Sequence, residues 1–362
     1  MREYWVFLGV DTGSSLNFEI PLSKEVVAGI SRIDQHRGLW RAGNPVGDSR
    51  LVALAETAII QSTAAASRLS GLRVSDNQVA AILAADAVRN SDDRQVKGYA
   101  NALRTPFAPS SRPLNPSDFA MLHTLAVENP HAERSGVWRL TPLVREAFDA
   151  SGRSTGRVFS TLSPRQIEPR LQALTAWLER EFRHPSRHPI PAIATFALGL
   201  LAASPFETGN GRLTFLAMGH LLRRAGYLHI PYASLEARIE DVRDEYQASS
   251  GSAQTRFWSG EARLEPWIEF FVRTLDRHRE KVDIKIALEQ RTNAFPPLQQ
   301  AILETVREHG TVGAGLLIQA TGANRNTLKD NLRRMVDHGV LQKHGERRGT
   351  LYRLATPDPT RE

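Results

Sequence analysis

The sequence predicts a mainly α-helical protein with a small β-hairpin, followed by a smaller C-terminal module of three helices and two strands. Two strongly apolar helical runs, 193–203 and 213–222, flank a glycine-containing loop, which indicates a buried helix-loop-helix centre. After Pro296 and Pro297 the segments become shorter, and the last two are β-prone runs on either side of a glycine-containing turn. The chain is therefore expected to divide into a large helical part and a separate terminal module.

Composition sets the broad class of the protein. With 362 residues, of which 41% are hydrophobic, the chain can bury a substantial core and has room for two or three domains. The absence of cysteine excludes disulfides and thiolate metal sites and is typical of a reducing compartment. We find neither a secretion signal at the start nor an apolar run that could span a bilayer, so a cytoplasmic location and no membrane partner are expected. A net charge of +7 favours acidic partners such as nucleic acid.

Hydrophobic spacing places the elements of the large part. A strand or extended arm is expected within 4–20, and a short β-prone patch lies at 155–161. Asp48 or Ser49 is the expected N-cap of the second helix, Gly71 its stop, and Ser117 the cap of a later helix. A proline-rich connector is expected at 105–116. Helices are predicted over 23–37, 49–69, 76–104, 117–127, 164–182, 190–203, 213–225, 232–246 and 267–279.

The loop at 204–212 carries the clearest chemical signal. Gly209 and Gly211 flank Asn210, and glycine permits backbone angles that are closed to most residues. Successive N–H groups can then point at one spot, where the next helix also presents its unpaired amides. Arg212 adds a positive charge, so residues 209–212 are predicted to bind phosphate. The alternative is a plain turn with a solvated Arg212.

Residues 204–212, SPFETGNGR, resemble the signature of Fic-domain proteins, His-Pro-Phe-x-(Asp/Glu)-Gly-Asn-Gly-Arg-x-x-Arg. The resemblance implies a Fic-type helical bundle and transfer of AMP from ATP to a protein hydroxyl. In the family, the leading His accepts the proton, the acidic residue holds magnesium, and the last Arg contacts the γ-phosphate. Those three positions are Ser204, Thr208 and Phe215 in this chain.

These three departures predict a phosphate site that has lost its catalysis. Ser204 is a poor proton acceptor near neutral pH, and loss of the base alone costs roughly 10²–10⁴-fold. The resemblance makes ATP or ADP the candidate ligand. A magnesium site is not expected, because Thr208 supplies no carboxylate to hold the metal. Glu207 is adjacent and could replace the missing group, but a one-residue shift is expected to turn its side chain to another face.

Other segments extend the resemblance. Residues 66–71 resemble the inhibitory helix of many Fic proteins, in which a Glu pairs with the last motif Arg. Ser70 occupies the position of that Glu and Phe215 the position of that Arg, so both partners of the inhibitory ion pair are replaced. A plain helix end capped by glycine is the alternative. His123 on a helix, followed by the segment 136–139, resembles the order of segments at the start of the Fic core. We assign His123 no chemical role.

Two further positions gain a role only through the resemblance. The patch at 155–161 lies where Fic proteins carry a flap hairpin that binds a target protein as an added strand, and a plain surface hairpin is the alternative. Arg243 and Tyr246 lie where Fic proteins place residues near the nucleotide base. A surface ion pair and a packed ring are the alternatives for these two.

The C-terminal module resembles a winged helix-turn-helix, which several Fic proteins carry at this end. Helices are predicted at 298–309, 312–320 and 325–338, and strands at 339–343 and 350–354. Basic residues outnumber acidic ones from 325 to 353, which favours DNA, although such modules also dock proteins or dimerise. The predicted DNA-binding residues are Arg325, Asn326, Lys329 and Arg333 on the third helix and Arg347 and Arg348 on the wing.

The predicted organisation is an N-terminal helical region at 1–105, a Fic core at 115–285 and a winged helix-turn-helix at 297–356. One hypothesis is a non-enzymatic regulator or scaffold that keeps the phosphate site and binds DNA. The other is an atypical transferase that moves AMP or a related group onto protein hydroxyls. Fic proteins often pair, so a homodimer is a further expectation, but the sequence shows no dimer interface.

Overall fold

The computed structural model describes residues 16–43, 46–105, 113–127, 136–148, 154–293, 295–345 and 350–355. The chain divides into two compact units, Met1–Asp283 and Ile284–Glu362. Most of the predicted arm at 4–20 and most of the connector at 105–116 lie outside the described residues.

Within the described residues, the regular structure of the first unit is helical apart from one hairpin, as predicted. None of its described helices combines the length and the apolar character needed to cross a bilayer. Its helices are α1 Lys24–Ala42, α2 Asp48–Leu69, α3 Asp76–Ala84, α4 Ser91–Arg104, α5 Pro116–Val127, α6 Pro164–Arg183, α7 Pro189–Ala203, α8 Asn210–Arg224, α9 Leu235–Glu240, α10 Arg243–Gln254 and α11 Glu265–Asn293, the last of which continues into the second unit.

Helices α7 and α8 lie at the centre of the core. Nearly every side chain of α7 is buried, because the helix is apolar on all sides and other helices surround it. The Trp267 indole donates a hydrogen bond of 2.7 Å to the carbonyl of Ala194. A Cβ at Gly199 would lie 2.7 Å from the Phe257 ring, so glycine is what allows this close approach. The central role predicted for 190–203 is confirmed.

Two predicted helices are each divided in the structure. The run 76–104 forms α3 and α4, because the Asn90 side chain accepts the N–H of Asp93 at 2.8 Å and starts a new helix. The run 232–246 forms a 3₁₀ turn at Ile230–Tyr232, then α9 and α10, and Ser234 caps α9 in the same way. The predictions of unbroken helices are therefore wrong at side chains that cap an internal helix end.

Helix ends agree in part with the predicted caps. Gly71 follows α2 with φ of +95°, which confirms the predicted glycine stop. The predicted N-cap at Asp48 or Ser49 is wrong by one position, since Gly47 is the N-cap. Ser117 lies inside α5, which begins at Pro116, a residue suited to the first turn because it lacks an N–H group.

The predicted patch at 155–161 forms half of an antiparallel hairpin. Strand β1, Val144–Phe148, pairs with β2, Ser154–Ser160, with Val144 opposite Ser160 and an irregularity between Glu146 and Phe148. The flap hairpin is thus confirmed as a structural element, and its protein partner stays a prediction.

The second unit has the winged helix-turn-helix arrangement. Residues 311–313, the last two of them expected in a helix, form a strand instead. This strand pairs with 351–354, which also pairs with 341–344, in an antiparallel three-stranded sheet. Ile302, Leu317, Leu328 and Met335 form the centre of its own small core. The elements are α12 Pro297–His309, β3 Thr311–Gly313, α13 Ala314–Thr321, α14 Arg325–Asp337, β4 Leu341–His344 and β5 Leu351–Leu354.

Several histidines are buried in the first unit. The rings of His36 and His229 meet edge to face at 4.4 Å, and burial lowers the pKa of His229 to about 2. Burial also lowers the pKa of His123 and of His220 to about 4. Each ring is therefore neutral in the folded protein at pH values where an unfolded histidine, with its pKa near 6.5, becomes charged.

These histidines predict a loss of stability between pH 7 and pH 5. A lowered folded pKa means that the unfolded state binds more protons below about pH 6.5, so unfolding becomes easier as the pH falls. His123, His220 and His229 each contribute up to about 2 kcal/mol of this loss at pH 5. Urea unfolding followed by circular dichroism should give a free energy of unfolding several kcal/mol lower at pH 5.

Between pH 7 and pH 5, the change in stability comes from the histidines and not from the paired carboxylates Asp34 and Glu179. The pKa values of Asp34 and Glu179 lie below their usual ones, despite their burial, because His188 and Arg224 hold the charged forms. Their contribution to stability is lost only as the pH falls below about 4.5. Equal stability at pH 7 and pH 5 would contradict the prediction.

Candidate functional site

The loop between α7 and α8 begins and ends with left-handed residues. Ser204 ends α7 with φ of +41°, and its N–H donates to the Leu200 carbonyl at 3.1 Å. Gly209 has φ of +76° and is the N-cap of α8. A Cβ at Gly209 would lie 3.2 Å from His123 Nε2, so glycine serves both the backbone angle and the space. The predicted helix, tight loop and helix are confirmed.

The Asn210 side chain closes the loop from inside. Its Oδ1 accepts the N–H of Phe206 at 2.9 Å, and its Nδ2 donates to the Phe206 carbonyl at 2.7 Å. The side chain is 2% exposed and cannot also bind a ligand. Only the backbone N–H of Asn210 is left for the predicted phosphate contact, which stays a prediction, because the side-chain amide is used to fold the loop.

A buried arginine holds the same loop from behind. Arg139, 1% exposed, donates from Nε to the Ser204 carbonyl at 2.8 Å, and its backbone N–H donates to the Pro205 carbonyl at 2.9 Å. Its Nη1 reaches the Thr141 carbonyl at 2.7 Å. Carbonyl oxygens thus offset the cost of burying this charge, and the position of Ser204 and Pro205 is fixed.

His123 supports the third side of the loop. Its ring stacks on Phe206 with centroids 3.7 Å apart. Because Nδ1 accepts the N–H of Gly136 at 3.2 Å, the proton lies on Nε2, which donates to the Thr208 carbonyl at 3.0 Å. Both ring nitrogens have partners within the protein, and the absence of a chemical role for His123 stays a prediction.

The front of the loop presents unpaired donors. Among the described residues, no side chain caps the N-terminus of α8, and the first N–H to bond backwards is that of Leu213, at 2.9 Å from the Gly209 carbonyl. The amides of Asn210, Gly211 and Arg212 are therefore left at the positive end of a 15-residue helix. This is the geometry that binds anions at helix N-termini.

Arg212 adds a buried charge beside these amides. The side chain is 7% exposed, and its Nη2 donates to Gln95 Oε1. Its Nε and Nη1 have no hydrogen-bond partner within the described ranges. Burial lowers the pKa of the guanidinium, while the nearby Tyr99 and Asp92 oppose that shift. A buried cation with unpaired N–H groups is costly unless an anion binds it.

A cavity of about 780 Å³ joins the predicted site residues. Its walls are the loop, the end of α2, the first turn of α4 and one face of α10. It brings Ser70, more than 130 residues earlier in sequence, to the motif. Sequence reasoning missed Ser91, Arg94 and Gln95 on one face of α4 and Gln247 on α10, because spacing groups residues on a helix face but cannot show what that face meets. The predicted residues in the lining are Ser70, Ser204, Thr208, Gly209, Asn210, Gly211 and Arg212.

Ser204 and Phe215, two of the three positions that differ from the family motif, have buried side chains. The Ser204 side chain is buried, and its hydroxyl donates to the Leu201 carbonyl at 2.8 Å. Phe215 is also buried, packs 5.9 Å from the Tyr246 ring, and lines a separate apolar pocket of about 80 Å³ against α2. The Ser204 hydroxyl is therefore already used as a hydrogen-bond donor, and the Phe215 ring is part of the core.

Glu207 is exposed and belongs to the lining of the same cavity as Thr208. The prediction that its side chain faces elsewhere stays a prediction. The loop is irregular at this point, and neighbouring side chains need not alternate between faces. Within the described lining, Glu207 is the single carboxylate. The position that holds magnesium in the family motif is the neutral Thr208, and Glu207 lies one residue before it, so the residues present do not match that magnesium site.

Arg243 and Tyr246 line different cavities in the structure. The Tyr246 ring packs against Phe215 and Trp267 and also lines the cavity, which agrees with the packed-ring alternative. Arg243 is exposed and lines a neighbouring groove with Arg68 and Arg73. No ion pair of Arg243 is found in the described part of the chain.

The predicted DNA-binding residues of the second unit lie on α14. Arg325, Asn326, Lys329 and Arg333 are all exposed. Arg325, Lys329 and Arg333 are spaced four residues apart, so they follow one face of the helix. Arg347 and Arg348 lie outside the described residues.

Comparisons with known proteins agree with this geometry. Residues 113–222 match the model of the Fic/DOC family. A search of curated proteins gave no match. A Fic family protein from Desulfovibrio desulfuricans G20 aligns over 96% of this chain and 100% of its own, with a TM-score of 0.61 and 18% identity.

Two more solved structures share the fold. A Fic domain containing signaling protein from Bacteroides thetaiotaomicron VPI-5482 covers 73% of this chain and 97% of its own, with a TM-score of 0.59 and 17% identity. Fic-1 from C. elegans covers 73% of this chain and 71% of its own, with a TM-score of 0.54 and 20% identity. Residues 113–222, which include the loop and most of α8, are thus similar in sequence to the Fic/DOC family, and the chain shares its fold with solved Fic proteins.

Proposed function

We propose that this chain binds the phosphates of ATP or ADP at the 204–212 loop without transferring AMP, and binds DNA through its second unit. In this hypothesis it acts as a regulator or scaffold rather than an enzyme. The flap hairpin is the place where a protein client would bind.

The single observation that carries the phosphate site is Arg212. Its guanidinium is buried, two of its nitrogens lack partners within the described residues, and the uncapped N-terminus of α8 lies in the same cavity. A phosphate would satisfy both sets of donors at once, with charge-assisted hydrogen bonds worth about twice a neutral one.

The absence of transfer follows from the groups at the loop. Proton removal from a target hydroxyl needs an acceptor near neutral pH, and the Ser204 hydroxyl is buried and donates to its own helix. His123 lies behind the loop with both nitrogens bonded, so it is not available to replace the base.

One observation favours the alternative transferase. Glu207 lines the cavity and is exposed, so a carboxylate is present beside the phosphate site. A carboxylate is a weaker proton acceptor than imidazole near neutral pH, because its usual pKa is near 4.3. We therefore keep transfer through Glu207 as the second hypothesis.

Labelled ATP separates the two hypotheses. We expect no label on any protein, including the chain itself, after incubation with magnesium and a cell lysate, because the proton acceptor is missing. The measurement is autoradiography of a denaturing gel. Label that appears with the wild type and disappears with Glu207→Gln would establish the transferase instead.

DNA binding is supported by the second unit. The exposed basic residues Arg325, Lys329 and Arg333 follow one face of α14, the third helix of the module. Phosphate neutralisation by such residues supplies most nonspecific affinity for duplex DNA. A helix of this kind reads the major groove in winged helix-turn-helix proteins.

A gel shift with random duplex DNA at low salt tests this part. We expect binding by the full chain, and a loss of about tenfold or more in the double variant Lys329→Ala/Arg333→Ala, because two phosphate contacts are removed. Arg334→Ala is the matched control, since Arg334 is exposed on the same helix but on another face. No shift with the wild type, or equal loss in the control, would contradict DNA binding by this face.

A further inference from the structure

The Arg212 guanidinium is held by one neutral side chain. Its Nη2 donates to the side-chain oxygen of Gln95 on α4, which is its single hydrogen-bond partner within the described residues. Nε and Nη1 of Arg212 are buried and have no partner in that part of the chain. Both side chains line the cavity. The contact therefore fixes one nitrogen of a buried cation and leaves two nitrogens for another acceptor.

Two ionisable groups act on the charge of Arg212, and neither neutralises it. Tyr99, four residues after Gln95 on the same face of α4, is fully buried and donates its hydroxyl hydrogen to Glu236 Oε1 at 2.7 Å. Burial, and then the charge of Glu236, raise the pKa of Tyr99, so its phenol is neutral. Asp92 is exposed, lines a neighbouring groove and forms no hydrogen bond with the Arg212 guanidinium in the described part of the chain.

The residue type at position 95 therefore sets the charge of this part of the cavity wall. A carboxylate at this position would form an ion pair with the buried guanidinium, and a buried cation is less costly when a carboxylate is bonded to it. A carboxamide accepts the same hydrogen bond without cancelling the charge. A buried cation that keeps its charge and two unpaired nitrogens favours an anion as its remaining partner.

We propose that Gln95 is the positioning residue of this site: its neutral side chain holds one end of the Arg212 guanidinium and, by leaving the charge uncompensated, makes the cavity select an anionic ligand. The inference rests on the proposed phosphate site at α8 and adds the residue of α4 that controls its charge. Gln95 acts through Arg212 and is not assigned a contact with the ligand.

Two measurements on Gln95→Glu test this role, and they are expected to move in opposite directions. The affinity for ADP without magnesium, measured by calorimetric titration of the full chain, should fall about tenfold or more, because an internal carboxylate competes for Arg212. The midpoint of thermal unfolding without ligand should rise by about 2 °C or more, because the buried cation gains a charged partner. A side chain that only packs would not lower affinity while raising stability.

Gln254→Glu is the matched control. Gln254 lines the same cavity from α10 and forms no hydrogen bond with the Arg212 guanidinium, so this change adds the same charge without the ion pair. We expect a loss of ADP affinity of about threefold or less and no rise in the unfolding midpoint. An equal loss of affinity in the two variants, or a loss in Gln95→Glu with an unchanged or lower midpoint, would overturn the positioning role.

Arg212→Gln separates the two ways of failing. If the wild type does not bind ADP, or if Arg212→Gln binds it as well as the wild type does, the α8 phosphate site itself is wrong. If Arg212→Gln loses ADP while Gln95→Glu keeps the wild-type affinity, the role of Gln95 alone is overturned.

The double variant Gln95→Glu/Arg212→Gln gives a readout that needs no ligand. The rise in the unfolding midpoint caused by Gln95→Glu should be absent when Arg212→Gln is the starting protein, because no guanidinium remains to pair with the carboxylate. A rise of the same size in both backgrounds would mean that the carboxylate does not act on Arg212, and the proposal would be overturned.

Discussion

The loop at 204–212 leaves the first N–H donors of α8 unpaired, and three side chains packed on its other side hold its shape. The Asn210 side chain forms hydrogen bonds with both the N–H and the carbonyl of Phe206. Arg139 donates to the carbonyl of Ser204, and His123 donates to the carbonyl of Thr208. These bonds fix a turn that begins and ends in the left-handed region, a conformation that is costly for Ser204. Without them, the first amides of α8 would have no fixed common direction.

The same support separates the groups that shape the loop from the groups that carry out the reaction in the family motif. The groups that shape the loop are present, and a preformed set of donors binds an anion with little reorganisation. The groups that would remove a proton or hold a metal are absent from the motif positions, where Ser204 and Phe215 have become parts of the core.

The sequence predicted the parts of this site that depend on backbone chemistry. Gly209 and Gly211 around Asn210 predicted the helix-loop-helix and the uncapped end of α8. The direction of the Asn210 side chain and the position of Glu207 were not predictable, because both depend on dihedral angles of an irregular loop. Arg94 was missed because a helix face gains its meaning only when the packing of α4 against α8 is known. The break before α4 was missed for a local reason, since Asn90 can cap a helix or simply lie within one.

The most direct test is a crystal structure of the full chain soaked with ADP and magnesium. We expect a phosphate oxygen within hydrogen-bond distance of the Gly211 and Arg212 amides and of the Arg212 guanidinium, with no metal ion between Glu207 and the phosphates. A nucleotide bound elsewhere, or a magnesium ion held by Glu207 that orders the phosphates, would contradict a site built from backbone amides and a buried arginine.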